Sequence, residues 1–223
     1  GSVGPDDGSN VTGTSETDIW SYPAADVPEI PDHGVLVLQN AYLAVRDGAD
    51  AAILRNGGLD TSDATGSDPN RNITVISRGG TLDGNAVGQS DTTGNAPHRC
   101  GLRFYQTDAV HLIGLQIRNT NGYAIRPQDC DDWLYRGISI EQDGNAANQD
   151  GVHIQGPSSG HRIYGYDAFC QDDSFAAESA DQGSIIETDS GGSQVPLGAV
   201  ENVLVQAFRT ARSAGNAGRA IGI

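Results

Sequence analysis

The sequence contains no lysine and no methionine among its 223 residues, and aromatic side chains make up only 6% of it. Its 13 basic residues are all arginine and face 29 acids, 23 of them aspartate, giving a formal charge of −16. A chain so short of positive charge lacks the basic, phosphate-facing surface of a general nucleic-acid binder. Anionic membrane surfaces repel it for the same reason. No apolar run approaches the roughly 20 residues that a membrane helix needs, so membrane insertion is not expected. Cysteine is scarce too. Cys100, Cys130 and Cys170 form no Cys-x-x-Cys pair, which argues against a disulfide framework or a zinc site. Three small buried thiols are the plainer reading. Neither a cofactor nor a metal is expected; Asp129, Asp131 and Asp132 offer oxygens for Ca²⁺, but a solvated turn accounts for them more simply. No ten-residue stretch keeps a helical period, which excludes a helix bundle.

What the chain does have is glycine, 30 residues of it, with aspartate and asparagine distributed as punctuation between short β-prone runs. These runs are Val35–Leu38, Tyr42–Val45, Ile73–Ile76, Leu102–Tyr105, Val110–Leu112, Leu115–Ile117, Tyr123–Ile125, Trp133–Tyr135, Ile138–Ile140, Val152–Ile154, Arg162–Tyr164, Phe175–Ala177 and Val203–Val205. They also recur at a longer interval. Leu102, Tyr123, Val152 and Phe175 make one set; Val110, Trp133, Arg162 and Val203 a second; Leu115 and Ile138 a third. Three strands per unit of roughly 22 to 30 residues mark a solenoid rather than a sandwich. The expected fold is therefore all-β: a right-handed parallel β-helix of about six to seven coils spanning 33–223. Residues 1–32, rich in Gly, Ser, Asp, Thr and Pro, read as an extended arm. The sequence runs out at Ile223 still in β-helix texture. That reads as continuation into a longer chain, or as an end covered by another subunit, for instance in a homotrimer.

Stacked coils lie about 4.8 Å apart, so residues one unit apart in sequence become neighbours in space. Asn148-Gln149-Asp150-Gly151 immediately precedes one strand, and Gln171-Asp172-Asp173 immediately precedes its successor. Asp150, Asp172 and Asp173 should thus share one patch. Crowded carboxylates push one another's proton affinity apart, leaving an acid beside a base, as glycosidic-bond hydrolysis requires. Among the remaining side chains, His153 follows Asp150 on the same strand and is a candidate for contact with substrate. His98, His111 and His161 read as surface positions. Tyr105, Tyr123, Trp133 and Tyr135 suit either a sugar-stacking face or the core.

At these residues the chain resembles the polygalacturonase-like branch, glycoside hydrolase family 28, of the pectin-lyase-like β-helices. The similar stretches are Asn72 to Asn85, Gly101 to Tyr105, Ile113 to Asn119, Gly122 to Ile125, Asn148 to His153 and Gln171 to Ala177. The most specific is the N-x-D-G run followed by paired aspartates. The resemblance implies an inverting hydrolase in which Asp173 or Asp172 protonates the leaving oxygen and Asp150 belongs to the water-activating pair. Asn148 would orient a carboxylate or a sugar hydroxyl. Two departures stand out. No histidine follows Asp173, where the family's next coil carries one, and the absence of lysine removes the family's Arg-Ile-Lys clamp. Gly218-Arg219-Ala220-Ile221 occupies the corresponding coil, with Arg219 the candidate cation.

The expected activity is hydrolysis of a polysaccharide by a secreted, extracellular enzyme. The alternative from another class is a non-catalytic β-helix that holds a receptor glycan, such as part of a virion tail spike or cell-surface fibre. A lyase would need a basic residue at the site, for which Arg126 and Arg219 are the only arginine candidates.

Overall fold

The computed structural model describes residues 12–14, 17–22, 27–57, 70–90, 100–179 and 198–212. Strands follow one another at almost every run named above, and nearly all pair in parallel; the exception is the pairing of Thr12–Thr14 with Thr17–Tyr22. Among the described residues the helical content is one 3₁₀ turn, Ala86–Gly88. No described helix is long and apolar enough to cross a membrane.

The strands stack on three faces. The first face holds Glu29–Ile30, Leu54–Asn56, Leu102–Asp108, Ile125–Asp131, Val152–Gln155 and Phe175–Glu178, each beside the next. The second holds Val35–Gln39, Thr74–Arg78, His111–Ile113 and the first halves of Leu134–Glu141, Arg162–Cys170 and Leu204–Arg212. The third holds Thr17–Tyr22, Tyr42–Val45, Thr81–Asp83, Gln116–Arg118 and the second halves of the same three long strands. This is a parallel β-helix. Thr17–Tyr22, within the segment read as an arm, extends the third face by one strand.

Corners are made by single residues in the left-handed region. His33, Asn72, Ala109, Asp132, Gly160 and Asn202 all have positive φ, and each stands two residues ahead of a second-face strand. Asn40, Gly79, Gly114, Gly137, Gly165 and Ala207 do the same ahead of the third face. One such residue turns the chain between two strands without a long loop. Glycine and asparagine tolerate the conformation while β-branched residues do not, so the corner rule accounts for much of the composition.

Inside, identical positions of successive coils make apolar columns. Leu54, Leu102, Ile125, Val152 and Phe175 form one. Val75, Leu112, Tyr135 and Ile163 form another, and Leu82, Ile117, Ile140 and Ala168 a third. All are buried, and each large aliphatic side chain so placed contributes about 1.5–3 kcal/mol. None of the three cysteines forms a disulfide and all are buried; burial pushes the Cys130 thiol up to about 12.

Two expected registers are corrected. Ile125, not Tyr123, pairs with Leu102 and Val152, because Ala124 still belongs to the corner. Arg162 pairs with Leu134 rather than Trp133, so His161 joins the inward column of Ile73, Val110 and Trp133. His161 is consequently not a surface residue. Its ring is fully buried against Trp133 and Tyr135, Nε2 faces the Cys130 carbonyl at 3.1 Å, and Nδ1 faces the Tyr135 hydroxyl at 3.0 Å. Burial lowers its pKa from 6.5 to about 4, so it is neutral.

The corner rule can be tested where space plays no part. Gly137 is exposed at φ 63°, and an added Cβ would meet nothing within 4 Å. Gly137→Ala should cost about 1–2 kcal/mol through backbone conformation alone. Ala109→Asn, at φ 56°, should instead gain about 0.5–1 kcal/mol. Urea denaturation midpoints at unchanged m-value measure both.

Candidate active site

Alternation along the first face sends Leu102, Ile125, Val152 and Phe175 into the apolar core and Arg103, Arg126, His153 and Ala176 to its other side, where they too are buried. Two positions ahead of the inward residue, the same register lines up Tyr123, Asp150 and Asp173. The corner just before the strand carries Gly101, Ala124, Gly151 and Ser174, all small. An aromatic-and-acid column therefore runs alongside a basic one.

Gly151 shows why the corner must be small. A Cβ there would overlap the Tyr166 hydroxyl and the Ser174 carbonyl. Tyr166 reaches across the core from the third face, accepts from the Val152 N–H at 3.1 Å and donates to the Ser174 carbonyl. One phenol oxygen thus ties together the two coils that carry the aspartates. The Gly151 N–H donates to the Asp173 carbonyl at 2.9 Å, closing the same join from the backbone.

Asp150 is braced from the other side. Gln142 donates to its carbonyl at 3.1 Å and exchanges two further bonds with Thr120. Gln149, the variable residue of the N-x-D-G run, donates to the Thr120 carbonyl at 2.8 Å and to Asp143 at 3.0 Å, and accepts from the Gly144 N–H. Its own carbonyl receives the N–H groups of Gln171 and Asp172. None of Thr120, Gln142, Gln149 and Tyr166 carries a sequence signal as a site residue. Each acts between coils, and only the register reveals it.

The electrostatics are those of a largely buried carboxylate cluster. Asp150 and Asp173 are 5% and 7% exposed, whereas Asp172 is half-buried. Burial raises the pKa of Asp150 from 3.8 to about 7; the His153 hydrogen bond and charge pull it down, and the charges of Asp172 and Asp173 push it up. His153 Nδ1 lies 2.9 Å from Asp150 Oδ2, and its ring packs on Tyr123 with centroids 4.4 Å apart. On the preceding coil, Arg126 lies over the Tyr123 ring and donates to Gln155 at 2.5 Å.

The structure therefore brings Asp150, Asp172, Asp173 and His153 together. Asn148 sits half-buried at the turn with φ 52°. Arg219 and His98 lie outside the described residues. Trp133 and Tyr135 are core residues, while Tyr123 belongs to the site column. Among the described residues no cluster of His, Cys, Asp or Glu is arranged to hold a metal. In the turn cluster, Asp129 accepts from Gln106, and Asp131 accepts from the Ser159 N–H and hydroxyl.

Fold and site together define a parallel β-helix with paired carboxylates at a coil corner. The family model of glycosyl hydrolases family 28 matches residues 63–200, which include all three aspartates, and the chain belongs to that family. Among solved structures it is similar to the family 28 exopolygalacturonase of Yersinia enterocolitica. The TM-score is 0.62 and the identity 16%, over 92% of this chain and 43% of that one. It is also similar to a glycosyl hydrolase candidate from Parabacteroides merdae, with TM-score 0.50 and 11% identity over 69% of this chain and 67% of that one. The chain thus spans less than half of the exopolygalacturonase. No curated protein matches it.

Gly151→Ala should force apart the coils joined by Tyr166, costing about 1–3 kcal/mol, measurable as a lowered denaturation midpoint. A second expectation concerns pH. Because the folded pKa of Asp150 is raised, its contribution to stability is full below about 4 and is lost as pH rises through about 7. His161 works the other way: its lowered folded value gives stability above 6.5 that is lost as pH falls toward 4. Comparing Asp150→Asn with wild type at each pH cancels the His161 contribution. The variant should gain more Tm at pH 8 than at pH 5.

Proposed function

We propose that the protein hydrolyses O-glycosidic bonds of a polysaccharide with inversion at the sugar carbon, using Asp150, Asp172 and Asp173. The observation that carries this reading is the register that sets Asp150 beside Asp173 on adjacent coils, with Asp172 next to them and more exposed. In this reading Asp150 and Asp173 jointly hold and deprotonate the attacking water. A carboxylate whose proton affinity lies near neutrality is a stronger base than an ordinary one and is still ionised for part of the time at neutral pH. Asp172 protonates the leaving oxygen, from the position best able to reach a chain lying along the face. Asn148 orients a sugar hydroxyl at the same corner, and Arg219 is the candidate to supply a cation to the substrate. Membership of family 28 supports hydrolysis over a purely structural role. An extracellular site of action follows from a polymeric substrate of this kind.

The charge of −16 bears on the choice of polymer. A polyanionic chain would be repelled at low salt, so its encounter rate should rise with ionic strength, while that of a neutral polysaccharide should not.

The direct test is reducing-end release by purified protein and by Asp172→Asn and Asp173→Asn. Each variant should lose about 10²–10⁴-fold in kcat while keeping the wild-type circular dichroism spectrum. Full activity in both would overturn the assignment.

A further inference from the structure

We infer that His153 is a positioning residue for Asp150: its Nδ1 holds Oδ2 of the carboxylate, fixing its rotamer and leaving Oδ1 as the oxygen that faces water and substrate. This rests on the hydrolytic reading above and adds a residue to it. The geometry is specific. The two side chains are three residues apart around the Gly151 corner, both are buried, and the Nδ1···Oδ2 distance is 2.9 Å. The ring is held on one side by Tyr123 of the preceding coil, which packs on its face, and only 3% of the side chain is exposed.

The other ring nitrogen strengthens the point. Nε2 of His153 is buried without a hydrogen-bond partner among the described residues, and the side chain is only 3% exposed. A buried imidazole is costly unless its polar atoms are bonded, and an apolar residue would serve packing alone at less cost. The bond to Asp150 is what the imidazole is there to make. Among the described residues, the charged and titratable groups around Asp150 are His153 on its own strand, Asp172 and Asp173 on the following coil, Tyr123 and Arg126 on the preceding one, and Tyr166 and Cys170 from the third face. Of these, Asp172 and Asp173 repel its negative charge, and His153 is the one group hydrogen-bonded to its carboxylate among the described residues. Losing that bond should raise the proton affinity of Asp150.

The test compares His153→Asn, whose amide nitrogen can stand near the Nδ1 position, with His153→Gln, whose amide reaches toward Nε2, and His153→Leu. Two readouts are needed: the pH profile of kcat/KM on the polysaccharide that wild type cleaves, and ¹³C NMR titration of the Asp150 carboxyl. In His153→Leu and His153→Gln the limb governed by Asp150 should move to higher pH by about one unit. The Asp150 carboxyl titration should move with it, and kcat should fall at least tenfold with KM within twofold. His153→Asn should restore most of both. If His153→Leu does not fold, the Asn and Gln variants carry the comparison. An Asp150 titration unmoved in the Leu and Gln variants, or an Asn variant indistinguishable from Gln, overturns the inference. Wild-type protein inactive on every polysaccharide, with the titration still shifting as stated, would instead sink the hydrolytic reading and leave the Asp150–His153 coupling standing.

Discussion

Everything in this protein depends on the register between coils. A parallel ladder fixes which residue stands above which, and the left-handed corner residues hold that register by making each turn the same length. Asn72, Ala109, Asp132, Gly160 and Asn202 occupy one corner, each two residues from the strand that follows. If one corner slipped by a residue, the alternation would turn the apolar column outward and the carboxylates inward. The same register holds on both sides of a break in the preceding coil: Leu102–Asp108 pairs with Leu54–Asn56 at one end and Asn70–Arg71 at the other.

The site is a consequence of that geometry and a burden on it. Two nearly buried carboxylates on neighbouring coils repel each other and give up hydration, and the desolvation of Asp150 is large enough to move its titration to about 7. A fold selected for stability alone would place an amide there, as it does at Gln142 and Gln149. Proteins keep such costly groups where chemistry needs them. The surroundings limit the damage. Tyr166 joins the two coils, Gln142 and Gln149 brace the backbone, and His153 engages one carboxylate oxygen. At acidic pH the neutral, buried His161 opposes the gain from protonating Asp150, so the two titrations partly offset each other over the same range.

Much of the fold was legible in the sequence because both periods involved, strand alternation and coil repeat, are written in residue type. The glycine and asparagine punctuation located most strands to within one or two residues. Asp150 and Asp173 were legible as a pair because each lies two positions ahead of an apolar strand residue, Val152 or Phe175. What stayed hidden traces to two small register errors. Placing Tyr123 level with Val152 concealed that it shares a column with Asp150. Placing Arg162 level with Trp133 concealed that His161 belongs to the column of Ile73 and Val110, and so made a core residue look like a turn. The bracing glutamines and Tyr166 left no trace in the pattern, since a hydrogen bond between residues eight to thirty positions apart has no local signature.

The central claim is that Asp150 and Asp173 are electrostatic neighbours on adjacent coils, acting as one pair. The ¹³C titration of the Asp150 carboxyl in wild type and in Asp173→Asn tests it without reference to any substrate. Removing the charge of Asp173 should lower the Asp150 midpoint from near neutrality. A midpoint identical in the two proteins would mean that the carboxylates do not sense each other, and the account of the site would fail.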